Sequence, residues 1–211
     1  MDTEQGYLLL VEDDLDILML LDTTLKIADH QVVTAQNGRE ALDIVHQGHP
    51  KIVIADIMMP NMDGYGLVHR LKIDPATRHI PVVFITATFV SPEDREFALK
   101  IGVARIIPKP LNLQMFLGTV EELLAGKPRL PAEPFDEFQY YDGYRRLLEA
   151  KLEQKTRKIT RDEHLLVLEN QSNAGDNDLR DSLRHAIRER DELKLLIDET
   201  QKQIDKLDKP K

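Results

Sequence analysis

Residues 7–14 read Tyr7-Leu8-Leu9-Leu10-Val11-Glu12-Asp13-Asp14, an unbroken apolar run that ends in three acids. A run that is apolar at every position, not only at alternate ones, is typical of a parallel strand buried on both faces. Three similar runs follow, at residues 52–55, 82–85 and 104–107, and residues 31–35 are a weaker candidate. The chain therefore predicts five strands.

Between these runs lie segments of helical length, in which apolar residues recur at helical spacing. The first has Ile17, Leu21 and Leu25 on one side, and the last, with Phe116 and Val120, ends near Gly126. Strands that alternate with helices favour an α/β fold with a doubly wound parallel sheet. We expect five strand-helix units in one domain at residues 1–127.

The sequence changes character after this domain. Residues 128–134 contain three prolines, which oppose a helix and favour an extended linker. Residues 135–211 are charged and helix-favouring, with apolar residues at coiled-coil spacing. In the first predicted helix of this extension the seam is Phe138, Tyr141, Leu148, Leu152, Ile159 and Leu166, interrupted by Arg145, Lys155 and Asp162. A polar break at residues 171–177 leaves two arrangements open: a helical hairpin, slightly favoured by the interruptions, or an extended parallel pair in a homodimer.

Composition excludes several classes of site and partner. The 211 residues contain no cysteine, so a disulfide framework and a thiolate metal site are both impossible. No stretch approaches the roughly 20 apolar residues that cross a bilayer, and we expect a soluble, cytoplasmic protein without membrane contact. A formal charge of -9 and a pI near 5.3 make DNA an unfavourable partner.

Polar side chains stand at the ends of the predicted strands. Glu12 and Asp13 follow the first run, Asp56 closes the third, Thr86 follows the fourth and Lys109 follows the fifth. Because parallel strands of an open sheet direct their carboxyl ends to one crevice, we expect these five residues to meet. Three carboxylates so close together would repel one another without a hard cation, and Mg²⁺ prefers such oxygen ligands. The pattern predicts a carboxylate-magnesium site.

These residues resemble the receiver domain of two-component response regulators over about the first 125 positions. Residues 8–14 resemble the family's first strand with its acidic pair, and residues 54–64 its phosphoacceptor strand and the loop that follows. Residues 84–87 are similar to its fourth-strand switch, and residues 108–110 to its lysine followed by a cis-proline. The resemblance implies the flavodoxin-like strand order 2-1-3-4-5.

By this resemblance, Asp56 is the phosphoacceptor, and a histidine kinase or a phosphotransfer protein is the donor. The implied ligands of Mg²⁺ are Glu12, Asp13, Asp56 and the backbone carbonyl of Met58. Thr86, Ala87, Lys109 and Pro110 are implied to contact the phosphate or take part in the switch. The chain is then a phosphoacceptor signalling protein and not an enzyme, and its helical extension forms a homodimer or binds an effector protein.

Two departures affect the expected switch. Many receivers have Tyr or Phe three residues before the active-site lysine, whereas this chain has Ile106. Arg105 stands where the family often has an acid. The resemblance therefore does not extend to the usual readout of phosphorylation, and we expect a different packing change or a smaller one.

Two other functions remain open. A transcription regulator would need a DNA-binding element within residues 135–211, which carry no basic face. A magnesium-dependent phosphatase of the haloacid type would need an aspartate two residues after its nucleophile, and Met58 occupies that position.

Overall fold

The computed structural model describes residues 6–86, 91–126, 136–170 and 177–208, and for residues 168–170 and 177 it describes the backbone alone. These residues form two compact units, divided between Phe135 and Asp136. The predicted linker, 128–134, lies outside the described residues, as do the end of the predicted first domain at Lys127 and the start of the predicted extension at Phe135.

The first unit contains one five-stranded sheet, in which every pair of neighbouring strands is parallel and the order is β2-β1-β3-β4-β5. The predicted fold class and strand order are confirmed. The strands are β1 Leu8–Val11, β2 Val32–Ala35, β3 Ile52–Asp56, β4 Val82–Thr86 and β5 Val103–Pro108. Every residue of β1, β3 and β4 is buried, which explains their unbroken apolar sequences.

Five helices connect or follow these strands: α1 Leu15–Ile27, α2 Gly38–Gln47, α3 Gly64–Ile73, α4 Pro92–Lys100 and α5 Leu113–Ala125. Each begins after a residue whose side chain accepts backbone N–H groups of the first turn: Asp14, Asn37, Asp63, Ser91 and Asn112. Such caps satisfy donors that have no partner inside the helix. Each helix therefore has a defined first turn after the strand that precedes it.

A hydrophobic core on one face of the sheet holds α1 and α5 against it. Side chains of β1, β3 and β4 pack there with Leu21 and Leu25 of α1 and with Phe116 and Val120 of α5. All four of these helical residues are fully buried. Packing in this core holds β1, β3 and β4 in place, and with them the strand ends that border the crevice.

The second unit consists of two long helices, α6 Glu137–Asn170 and α7 Asn177–Leu207, which pack against each other. The Lys155 Nζ of α6 donates a hydrogen bond to the Glu189 Oε2 of α7 at 2.8 Å. Ile159 and Asp162 of α6 and Ala186 of α7 are buried nearby. Within one chain, the helices therefore form the predicted hairpin, and the charged interruptions Lys155 and Asp162 lie in or beside the seam.

The predicted seam is wrong at the start of α6. Phe138 is 46% exposed, whereas Tyr140 and Tyr144 are buried and stack with ring centroids 5.6 Å apart. The buried residues there are spaced four apart, at positions 140, 144 and 148, so that neighbouring rings lie on one side of the helix. Farther along, Leu148 and Ile159 are buried as predicted.

Within the part of the chain that the structure describes, no helix is both long and apolar enough to cross a membrane.

Two glycines of the first unit should respond oppositely to alanine. At Gly118 of α5, an added Cβ meets nothing within 4 Å, so Gly118→Ala should raise the free energy of unfolding by roughly 0.5–1 kcal/mol. At Gly64, an added Cβ would lie 2.6 Å from the backbone oxygen of Asp56, so Gly64→Ala should lower it by roughly 1–3 kcal/mol. Urea unfolding of both variants checks the pair, and equal effects would contradict the packing described around Gly64.

Candidate functional site

The register of the sheet brings the predicted site residues to one edge. Val11 is aligned with Ala55, so that Glu12 and Asp56 follow on neighbouring strands. Thr86 is aligned with Pro108, and the Lys109 N–H donates to the Thr86 carbonyl at 2.7 Å. The ends of β1, β3, β4 and β5 thus surround a single crevice.

The Lys109 ammonium lies between two carboxylates. Its Nζ donates to Glu12 Oε2 at 2.8 Å and to Asp56 Oδ1 at 2.9 Å. Glu12 is 2% exposed and Asp56 7% exposed, so that water screens these charges only weakly. Along the chain, Lys109 is 97 positions from Glu12 and 53 from Asp56, and the sheet brings the three residues together.

The other oxygen of Asp56 has a backbone partner. The Met58 N–H donates to Asp56 Oδ2 at 2.6 Å, so that both carboxylate oxygens are held and the group has one orientation. The prediction named the carbonyl of Met58 but missed this N–H. A turn that returns a backbone donor to the residue two positions earlier is common for aspartate, and could have indicated it.

Negative charge is in excess at this edge. Desolvation raises the pKa of Glu12, the Asp56 charge raises it further, and the hydrogen bond from Lys109 only partly offsets them. Desolvation also raises the pKa of Asp13, and again the Asp56 charge adds to the effect. Burial alone would lower the pKa of Lys109, but the hydrogen bonds and charges of Glu12 and Asp56 outweigh it and raise that pKa. One ammonium therefore does not neutralise the three carboxylates.

A hard cation fits this set of donors. Among the described residues, no group of three acidic or histidine side chains is close enough to hold a metal ion without other ligands. Mg²⁺ needs less than that, since it commonly takes one or two carboxylates and keeps several waters. The pKa values of Glu12 and Asp13 are raised, and a cation bound beside these carboxylates would lower them.

Thr86 is 1% exposed at the end of β4, and the peptide bond between Lys109 and Pro110 is cis. Asp14 caps α1. Ala87 lies outside the described residues, so its role in the switch stays a prediction.

Comparison with known proteins gives one consistent result. The sequence profile of the response regulator receiver domain matches residues 8–121. The response regulator PleD of Caulobacter vibrioides is 39% identical over 116 residues, which are 54% of this chain and 25% of PleD. A protein of Cyanophora paradoxa named "Probable transcriptional regulator ycf27" is 33% identical over 124 residues, or 59% of this chain and 50% of that protein. The chain thus spans half or less of the length of these relatives.

Solved structures agree. The receiver domain of a signal transduction histidine kinase from Syntrophus aciditrophicus is 34% identical, with a TM-score of 0.54, and the match covers 61% of this chain and 96% of that one. For the chemotaxis response regulator CheY4 of Vibrio cholerae the identity is 28% and the TM-score 0.53, with coverage of 56% and 98%. Each match covers nearly all of the solved structure and somewhat more than half of this chain.

The electrostatics of the crevice can be tested through stability. Because the pKa values of Glu12 and Asp13 are raised, the folded chain binds protons more tightly than the unfolded chain, and the charged carboxylates destabilise the fold at neutral pH. Without metal, Asp13→Asn should therefore raise the free energy of unfolding by roughly 0.5–1 kcal/mol. Mg²⁺ should stabilise the wild type, and this gain should shrink as the pH falls through the raised carboxyl pKa values.

Thermal unfolding with and without Mg²⁺, over a series of pH values, measures both effects. Asp43→Asn on the exposed side of α2 is the matched control and should behave as the wild type. If Asp13→Asn retained the full gain from Mg²⁺, the assignment of Asp13 to the cation would be wrong.

Proposed function

The chain belongs to the response regulator receiver domain family, and from that premise we propose that it accepts a phosphoryl group on Asp56 from a histidine kinase or a phosphotransfer protein. The observation that carries the proposal is the Lys109 ammonium held between Glu12 and Asp56 in a buried crevice. This arrangement presents a carboxylate nucleophile beside a fixed positive charge. It supports a role as a phosphate-accepting signalling domain.

The transfer exchanges one bond for another. A carboxylate oxygen of Asp56 forms a new P–O bond while the P–N bond of the donor phosphohistidine breaks, and the imidazole leaves with the electron pair. The hydrogen bonds from Lys109 and Met58 hold Asp56 in one orientation, which favours attack in line with the leaving group. Lys109 offsets the charge of the equatorial oxygens.

The proposed cation is Mg²⁺, with Glu12, Asp13, Asp56 and the Met58 carbonyl as its ligands. When bound, it neutralises charge on the carboxylates and on the incoming phosphoryl group. The raised pKa values of Glu12 and Asp13 support this assignment, because they mark carboxylates that lack enough positive charge nearby.

Thr86 and Lys109 are the proposed contacts of the attached phosphate, with Ala87 and Pro110 beside them. A phosphoryl group adds nearly two negative charges and three acceptor oxygens. Thr86 ends β4 and its carbonyl is bonded to the Lys109 N–H, so the two residues would respond together.

An exposed apolar face of α1 is the proposed docking surface for the donor. Leu15 and Met19 lie one turn apart on this helix, and Met19 is 67% exposed. Leu15 follows the acids of β1 directly, so that a helical donor seated on this face would lie beside the crevice.

For the whole chain, we propose a receiver at residues 1–127, a linker at 128–134 and a signalling extension at 135–211. The extension forms a homodimer or binds an effector protein. In its described helices, Leu165, Val167 and Leu195 remain exposed although the seam between α6 and α7 is filled, which leaves apolar surface for a further helix.

A phosphatase is not supported by the same crevice. The position two residues after Asp56 presents Met58, which has no group able to exchange a proton with a leaving oxygen. A DNA-binding extension would give salt-dependent retention on DNA at low salt, and the absence of such retention would remove that alternative.

The phosphoacceptor can be identified by labelling. With acetyl phosphate and Mg²⁺, the wild type should gain one phosphoryl group, and Asp56→Asn should gain none because the nucleophile is lost. Intact-mass measurement detects the label, and Asp43→Asn should be labelled as the wild type is. Equal labelling of Asp56→Asn would refute the assignment of Asp56.

The oligomeric state tests the extension. In sedimentation at micromolar concentration, the full chain should dimerise to a measurable extent, and Leu195→Gln should weaken the dimer because it removes exposed apolar surface. Arg188→Gln, at an exposed position of α7, is the control. A monomer both with and without phosphorylation would refute dimerisation.

A further inference from the structure

Helix α4 follows the strand that ends in Thr86, and few apolar contacts hold it. Its sequence, PEDREFALK, is largely charged, and Ala98 is its only fully buried residue. Ile101, which caps the helix, is 4% exposed, and Phe97 is half-buried. The position of α4 therefore depends on a small number of side chains, of which Phe97 is the largest.

Phe97 of α4 packs against Tyr65 of α3. The ring of Phe97 stacks on that of Tyr65, with centroids 5.6 Å apart and planes at 30°. Tyr65 in turn meets the edge of Phe84 on β4, at 5.2 Å and 73°. Tyr65 is 1% exposed, so one buried ring joins α3, α4 and β4.

Tyr65 is fixed to the phosphoacceptor strand through the backbone. The Gly64 N–H beside it donates to the Ile57 carbonyl at 2.9 Å. The first turn of α3 approaches β3 so closely that a Cβ at Gly64 would lie 2.6 Å from the backbone oxygen of Asp56. Phe84 lies two residues before Thr86, and side chains two apart on a strand share a face. Tyr65 thus contacts the strand that ends in Thr86, and its neighbour Gly64 contacts the segment beside Asp56.

Nearby carboxylates affect the Tyr65 hydroxyl. Desolvation is the main cause that raises the pKa of this hydroxyl, and the carboxylates of Asp94 and Asp63 raise it further. Asp94 lies in the first turn of α4, where it completes a capping box with Ser91. The start of α4 is therefore close enough to Tyr65 for the charge of Asp94 to act on it.

Strand β5 contains no aromatic side chain that could contact α4 as Tyr65 does. Its sequence, VARIIP, contains no aromatic residue, and the position aligned with Phe84 is Ile106. Ile106 is 9% exposed and branched at Cβ, which restricts it to few rotamers. Among the described residues, Tyr65 is the buried aromatic side chain that contacts both β4, through Phe84, and α4, through Phe97.

We propose that the stack of Tyr65 on Phe97 is the element that transmits the state of Asp56 to α4. The inference rests on the proposed phosphorylation of Asp56. In the unphosphorylated chain the stack holds α4 against α3. When Thr86 is drawn toward the phosphate, Phe84 moves with its strand, the contact of Tyr65 weakens, and the surface of α4 is released.

Hydrogen exchange of α4 amides in the full chain, with and without acetyl phosphate and Mg²⁺, tests the proposal. Phosphorylation should speed exchange over residues 92–101 of the wild type by about two- to tenfold, the factor that corresponds to losing one aromatic pair. Tyr65→Leu should exchange at the faster rate without phosphate and change little on labelling. Tyr65→Phe keeps the ring and should restore most of the response.

Controls separate this coupling from the phosphorylation itself. Phe116→Leu removes a buried ring on the opposite face of the sheet and should leave the response of α4 intact. Phe97→Leu breaks the stack from the exposed side and should reproduce Tyr65→Leu, even if the latter fails to fold. All variants are labelled in parallel.

The outcomes are distinct. Absence of label on the wild type would overturn the proposed function and this inference with it. Normal labelling of Tyr65→Leu or Phe97→Leu together with a wild-type response of α4 would overturn the coupling alone, and so would a labelled wild type whose α4 does not respond. Normal labelling with a lost response in both variants would establish it.

Discussion

The contact between the Lys109 ammonium and the carboxylates of Glu12 and Asp56 is the interaction on which the site depends. It joins three strand ends in a crevice that water reaches poorly, where an unpaired charge would be costly. The ammonium offsets only part of the negative charge, as the raised pKa values of Glu12 and Asp13 indicate. The folded crevice thus has an excess of negative charge, which a cation would reduce.

The rest of the first unit keeps these charges together. Strands β1, β3 and β4 are buried at every position, and the core beneath α1 and α5 resists their displacement. Capping residues begin each helix close to its strand, and Gly64 lets α3 approach Asp56 more closely than any side chain would allow. In contrast, α4 is held by few apolar contacts. A rigid crevice beside a loosely held helix is a suitable arrangement for a switch, since a small change in charge at one can move the other.

The second unit shows how a polar seam can still hold two helices together. Lys155 has a partner across the seam in Glu189, and the buried Asp162 lies beside Arg161. The rings of Tyr140 and Tyr144 pack at the start of α6, where the heptad predicted Phe138 and Tyr141. Heptad spacing predicted helices here, but the residues buried at the start of α6 follow a spacing of four.

The apolar runs of the sequence predict the five strands, and because the carboxyl ends of parallel strands meet at one edge, they also predict that the candidate residues lie together. The charged, helix-favouring composition after residue 134 likewise predicts the helices of the extension. The bridge from Lys109 to Glu12 and Asp56 and the stack of Tyr65 on Phe97 became apparent with the folded structure. Local sequence sets where a strand ends, whereas a bridging side chain or a stacked ring depends on distances between residues far apart in the chain.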